Sequence, residues 1–477
     1  MAEPRKTHIL ILGAGFGGFY AAMRLDRTLA RDPDVQVTLV DKDNFSLFTP
    51  MLHEVAASDL DPSDIVNPLR KMLRRVTFYE AKVQSIDLHA KSVTTCFGLQ
   101  QRERVLHYDH LVLAMGSETR FFDDETRKHA ITMKSLGDAL FLRNRLIGLL
   151  EAAAVEEDPE VRRQTLTLVV AGGGFAGVET IGAVNDFLRD ALKYYPQLKE
   201  EMLSVVLVHP GNVLLPEFAP SLGKYTGEKL RQAKIEVRLD TSVESYDGAT
   251  VKLKPAPPPH KNPEHKPEHH ADPSPRPENL HQDITAHTLV WTAGVTPPPL
   301  IQSLPLQKEK GRVVVQSTME SAEFPGVWAL GDCAHIPDPK TGKAFPATAQ
   351  HATREAVRLA KNIKASIRGG APRPFTFKTL GQLAAIGKRR GAAQILGFNF
   401  SGFIAWFMWR TIYWWKLPTL EKKIRVGMSW GLDLFFSKDI VQIITPDEVR
   451  RLSKTDAGQR SPAPAHSESE SFAESAP

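Results

Sequence analysis

Apolar runs that end in glycine recur along the chain. Thr7-His8-Ile9-Leu10-Ile11-Leu12 runs straight into Gly13-Ala14-Gly15-Phe16-Gly17-Gly18, and Phe19 to Leu25 follows with apolar residues at helical spacing. A short continuous apolar run predicts a buried strand, and the change to a three-to-four spacing predicts a helix. Val35 to Asp41 reads as the next strand. The same pattern restarts later: Thr165 to Ala171 is apolar, Gly172-Gly173-Gly174-Phe175-Ala176-Gly177 follows, and a helix is predicted from Val178. Its next strand is Ser204 to Val208. Between and after these units the pattern predicts strands at Phe78–Val83, Ser92–Phe97, His110–Leu113, Thr288–Trp291 and Gly326–Leu330, a helix over Ser63–Arg75 and a helix over residues 347–368.

Two later stretches break the pattern. Residues 255–283 are Pro- and His-rich with almost no apolar side chains, and they predict an extended surface insertion. Its histidines give no fixed geometry, so no metal site is expected. Residues 454–477 are rich in Ser, Ala, Glu and Pro and predict a disordered tail. Ile395 to Trp415 reads instead as one aromatic, apolar helix, with Lys388, Arg389 and Arg390 before it and Lys416, Lys422, Lys423 and Arg425 after it. Amphipathic rings flanked by cations suit the surface of an anionic membrane. The other readings are a buried helix, a dimer interface or a true span, against which Asn399, Ser401 and Arg410 count.

The glycines carry the chemistry. In a strand–turn–helix, the first glycine of Gly-x-Gly-x-x-Gly closes the turn, the second admits a pyrophosphate, and the third lets helix and strand pack. The helix N-terminus then faces the phosphates. Gly13, Gly15 and Gly18 fit one such unit, and Gly172, Gly174 and Gly177 a second. Two units imply two dinucleotides. Asp41 ends the strand after the first unit, where an acid can hold a ribose hydroxyl; His209 stands at the corresponding place in the second. A histidine there neither grips a ribose diol nor repels a 2′-phosphate, so NADPH stays open beside NADH. Glu179 falls in the first turn of the second helix, either as a partner of the helix dipole or as a carboxylate between the cofactors. Ala114-Met115-Gly116-Ser117 and Gly331-Asp332 end strands in small residues that let backbone approach a ligand.

Bulk composition alters this picture little. The 477 residues suffice for two or three domains. A net charge of +5 makes no case for nucleic acid. Cys96 and Cys333 form neither a disulfide framework nor a Cys-x-x-Cys pair. The first strand starts close to Met1, so no leader peptide is expected.

The two glycine units, Ala114-Met115-Gly116, Trp291-Thr292-Ala293-Gly294 and Ala329-Leu330-Gly331-Asp332-Cys333-Ala334 resemble the two-dinucleotide-binding flavoproteins. Pro346-Ala347-Thr348-Ala349-Gln350-His351-Ala352 and the C-terminal region narrow the resemblance to type II NADH dehydrogenases, the single-subunit NADH:quinone oxidoreductases. The resemblance implies an α/β fold of two Rossmann-like domains, glutathione-reductase-like, with a C-terminal membrane-associating helical region. It implies an FAD-binding domain in two parts (1–135 and 296–380), an NAD(P)H-binding domain (136–295), a membrane-anchoring and quinone-access region (381–453) and the tail. It implies FAD held by Gly13, Gly15, Gly17, Gly18, Asp41, Ala114, Gly116, Gly331 and Asp332, and NADH held by Gly172, Gly174, Gly177 and Glu179. Quinone would dock beside the flavin at Gln350 and Arg354, the latter standing where the family carries a second glutamine. The catalytic residues would be Glu179, Gln350 and Arg354, with no metal. The implied activity is non-proton-pumping NAD(P)H:quinone oxidoreduction by a peripheral, monotopic enzyme on the cytoplasmic face of the cell membrane, with a homodimer left open. The rival readings are a soluble flavin reductase of another acceptor and a slow-turnover nucleotide-binding redox sensor.

Overall fold

The computed structural model describes residues 6–256 and 281–443. The expectations for the insertion, beyond its first two and last three residues, and for the tail fall outside these residues.

The apolar run Thr7–Leu12 is an inner strand, third in order, of a seven-stranded sheet. Its neighbours His110–Leu113 and Val35–Asp41 run parallel to it, as do Val327–Ala329 and Thr77–Asp87 further out. Parallel strands need both faces covered, which is why Ile9 to Leu12 are all fully buried. Ser92–Phe97 and Arg102–His107 extend one edge as an antiparallel meander. Val327–Ala329 joins this first sheet after the chain has left it to build a second. That second sheet is five-stranded and wholly parallel, in the order Ile131–Thr132, Thr288–Trp291, Thr167–Ala171, Ser204–Val208, Glu236–Arg238. The strands Thr241–Tyr246, Thr250–Pro255 and Ile284–Thr285 form a separate antiparallel sheet, so the chain enters and leaves the insertion within one small sheet.

Two expectations are corrected. The helix over Ser63–Arg75 does not form. Instead there is a 3-10 turn at Pro62–Asp64, a strand at Val66–Pro68 paired with Phe45–Leu47, and one helical turn at Leu69–Met72. Pro68 has no N–H and disfavours helical backbone at Asn67, so the segment breaks there. The Ile395–Trp415 helix is also shorter than expected. Gly381–Gly387, Arg390–Ile395 and Phe398–Ser401 make an antiparallel sheet, and the helix starts only at Gly402, ending at Lys416. Gly397 and Gly402 both adopt positive φ, which ends one element and starts the next. At 15 residues the helix is about 22 Å long, short of a hydrocarbon core of about 30 Å. Among the described residues no helix is long and apolar enough to cross a membrane.

The C-terminal sheet lies against the second nucleotide unit. A Cβ on Gly182 of the helix Phe175–Ala191 would fall 2.3 Å from the Ile386 carbonyl oxygen. The short helix Leu52–Ala56, from the first domain, is wedged into the same core.

Candidate functional site

The two glycine loops have the same geometry. Gly13 and Gly172 both sit at strongly positive φ, which only glycine adopts without strain. A Cβ on Gly18 would lie 1.8 Å from the Gly13 carbonyl oxygen, and one on Gly177 would lie 1.8 Å from that of Gly172. A Cβ on Gly17 would press on the Leu330 side chain at 3.1 Å. By contrast Gly15 and Gly174, each the N-cap of its helix, would place a Cβ in open space. A bare N-cap leaves first-turn N–H groups free for a phosphate. The loops therefore fit two dinucleotides.

The strand-end residues lock these loops. Asp41 accepts hydrogen bonds from the backbone N–H of Ala14 and of Asp43. His209 does the corresponding work through Nδ1, accepting from Gly173 N at 3.1 Å. Burial pulls the His209 pKa down to about 4, so the ring is neutral. Ala114 is buried against Gly13, and Gly116 turns at positive φ. Gly331 is fixed by Glu355, whose carboxylate accepts from Gly331 N at 2.8 Å. Asp332 follows and accepts from the Ser117 hydroxyl at 2.8 Å, to which Lys134 donates at 3.0 Å.

Between the two loops lies a cavity of about 680 Å³. Phe16 and Tyr20 line it from the first unit; Phe175, Ala176 and Glu179 line it from the second; Gln350 and Arg354 line it from the helix Ala349–Ile367. Gln350 donates to the Gly381 carbonyl at 3.2 Å, and Arg354 donates to the Gln350 carbonyl while its guanidinium sits 4.2 Å from the Phe377 ring centre. Lys416 adds a second cation to the lining. Glu179 is not a surface partner of its helix dipole. Its side chain is 12% exposed and accepts from Trp409 Nε1 at 2.9 Å and from Ala385 N at 3.2 Å. Burial pushes its pKa up to about 8.

The sequence matches the model of the pyridine nucleotide-disulphide oxidoreductases over residues 7–356. It is 30% identical to the type II NADH:quinone oxidoreductase NdhA of Mycobacterium tuberculosis, over 90% of this chain and 87% of that one. It belongs to the type II NADH:quinone oxidoreductases. A further relative is the type II NADH:quinone oxidoreductase of Staphylococcus aureus strain RF122, 26% identical over 86% of this chain and 95% of that one. The solved structure of NDH2 from Plasmodium falciparum in complex with NADH shares the fold, with a TM-score of 0.81 at 20% identity, covering 92% of this chain and all of that one.

The resemblance read from the motifs is thus borne out, as is the α/β fold of the pyridine nucleotide-disulphide oxidoreductases. Both cysteines are free and buried, and burial raises the Cys333 thiol to about 12. Sequence reading missed Glu355, Lys416 and the pair His53–Glu54. Glu355 was discoverable as a carboxylate on the inward face of the predicted helix. His53 and Glu54 gave no signal, because only the tertiary wedge of their short helix brings them to the site.

Proposed function

We propose that this type II NADH:quinone oxidoreductase, a non-proton-pumping enzyme, is an FAD flavoprotein that works from a membrane surface. The observation that carries this reading is one cavity lined by Phe16 of the first glycine motif, by Phe175 and Ala176 of the second, and by Gln350. FAD would lie on Gly13, Gly15, Gly17 and Gly18, with Asp41 at the ribose and Ala114, Gly116, Gly331 and Asp332 along its length. NADH would lie on Gly172, Gly174 and Gly177. When bound, FAD supplies a two-electron relay between nicotinamide and quinone. The chain supplies position and protons. Gln350 offers an uncharged donor to a quinone carbonyl. Arg354 and Lys416 place positive charge where the quinone oxygens gain electron density. Glu179, protonated over much of the neutral range, holds a proton beside the reacting rings.

The membrane part rests on exposed apolar faces. Leu420, Ile424, Met428 and Leu432 recur every four residues of the helix Leu420–Leu432, and each is more than half exposed. Phe403, Ile404, Phe407 and Trp415 add an apolar, aromatic face on the preceding helix. Lys423 sits 4.7 Å from the Trp415 ring centre. An apolar stripe beside cations suits an anionic bilayer. Ile424→Asp combined with Met428→Asp should abolish sedimentation with phosphatidylglycerol vesicles. If the wild type ignores vesicles and forms a stable dimer, the stripe is a subunit interface.

The test of the function is an anaerobic flavin absorbance trace of the purified enzyme. NADH should bleach the flavin and a short-chain quinone should restore it. Bleaching without recovery would refute the quinone reading and favour another acceptor or a sensor. NADPH in place of NADH tests the second donor, which the neutral His209 leaves open.

A further inference from the structure

A second cavity, of about 310 Å³, lies behind the first. Its walls are richer in charge than those of the first: Glu54, Asp59, Arg410, Asp433 and Lys438 line it. Among the described residues, two line both cavities, His53 and Glu179. His53 Nδ1 is 3.9 Å from Glu179 Oε2, a gap that one water or a small ring movement spans. Glu54 is the next residue of the same short helix. Its carboxyl accepts from Trp430 Nε1 at 3.2 Å and lies 3.8 Å from an Arg410 amino group.

This cluster is more than an ion pair. Burial pushes the Glu54 pKa up to about 8, so much of the time it is a neutral acid. Arg410 tolerates that because its guanidinium lies 4.4 and 4.6 Å from the ring centres of Trp406 and Trp430. Among the described residues, Arg410 Nε and Asp433 Oδ2 are buried without a hydrogen-bond partner. Buried polar atoms on a polar cavity of this size are ordinarily satisfied by water. Asp59 is engaged by Lys438 at 2.7 Å. Burial holds His53 neutral, with a pKa of about 3, so its ring has one donor and one acceptor nitrogen.

The reaction needs what this arrangement offers. NADH brings two electrons and one proton as hydride; a quinone takes two electrons and two protons. One proton per turnover must come from water, at a cavity whose walls are largely apolar. We propose that the second cavity, which His53, Glu54 and Glu179 all line, is the proton inlet of the quinone half-reaction, with Glu54 passing protons by way of the cavity's water to His53 and on to Glu179. Glu179 gives its proton to a quinone oxygen as the electrons arrive. His53 gives the Glu179 carboxylate a proton from one ring nitrogen and takes one at the other from the cavity water that Glu54 feeds. Water in the second cavity then reprotonates Glu54. The inlet rests on the quinone reading above.

Glu54→Gln keeps the acceptor for Trp430 and removes the proton. In the full-length flavoenzyme, NADH should reduce the flavin of this variant at close to the wild-type rate. Reoxidation by a short-chain quinone should slow roughly 10- to 100-fold. Its solvent deuterium isotope effect should rise, and its fall in rate above about pH 8 should shrink to the part that Glu179 contributes. Glu54→Asp should recover part of the rate, and added formate, a small acid able to enter the cavity, should recover part of it in Glu54→Gln. An unchanged reoxidation rate and pH profile in Glu54→Gln overturns the inlet, as does a loss that neither Asp nor formate relieves. If the wild type itself is not reoxidised by any quinone, the quinone reading fails instead.

Discussion

The two glycine loops are near-copies in backbone and differ in the side chain that locks them. In the first, Asp41 accepts from Ala14 N; in the second, His209 accepts from Gly173 N. Closing the loop thus requires an acceptor, not a charge. The charge is left free to choose a ligand. Asp41 adds a carboxylate at the strand end, where the proposed FAD would put a ribose, whereas His209 commits the lone pair of a neutral ring to the loop and offers its pocket no charge. A unit that carries a resident cofactor and a unit that exchanges its nucleotide every turnover can therefore share a fold and diverge at one strand end.

The hardest test of that likeness is to break both loops alike. Gly18→Val and Gly177→Val each drive a Cβ into a carbonyl oxygen. The first should purify without flavin. The second should keep its flavin and be reduced by NADH roughly a hundredfold more slowly, since a displaced nucleotide loses its attack geometry. Absorbance spectra and stopped-flow reduction separate the two, and flavin loss in both variants would show that the units do not act independently. Asp332→Ala probes the first unit alone. Removing a hydrogen-bonded carboxylate should weaken flavin binding roughly tenfold, seen as a lower flavin-to-protein ratio; full occupancy would release Asp332 from the cofactor.

His209→Asp sharpens the comparison by making the units match. The ratio of KM for NADPH to KM for NADH should rise roughly tenfold, because a carboxylate binds a ribose diol and repels a 2′-phosphate. An unchanged ratio would take the strand end out of nucleotide choice. The smallest effect concerns acid stability. His209 is held at about 4 when folded against an ordinary 6.5. Its depressed pKa means the unfolded chain takes up the proton first as pH falls. The contribution to stability is complete above pH 6.5 and is lost as pH falls through about 4. His209→Gln should therefore lose less melting temperature between pH 7 and pH 5 than the wild type does.

Much of this was legible in the residues because local rules and the final fold agree. Gly13, Gly15 and Gly18 need one loop conformation whatever surrounds them, and so do Gly172, Gly174 and Gly177. The apolar runs before them had to be central strands. Where a proline or glycine outweighed the apolar pattern, the reading failed: Pro68 cut the helix expected over Ser63–Arg75, and Gly397 and Gly402 left the first third of Ile395–Trp415 in a sheet. Glu179 was found but left between two roles, since only packing against Trp409 and Ala385 makes it a buried acid. His53, Glu54 and Arg410 come from segments more than 350 residues apart in the chain, and no local spacing joins them.

The small sheet beside the second domain has a practical consequence. Thr250–Pro255 and Ile284–Thr285 are neighbouring strands, paired Val251 to Ile284, so the long connection between them leaves from and returns to one small sheet. A fluorescent protein or affinity handle spliced into that connection would leave both large sheets and the central cavity untouched, giving a reporter that follows the enzyme in living cells without borrowing either terminus.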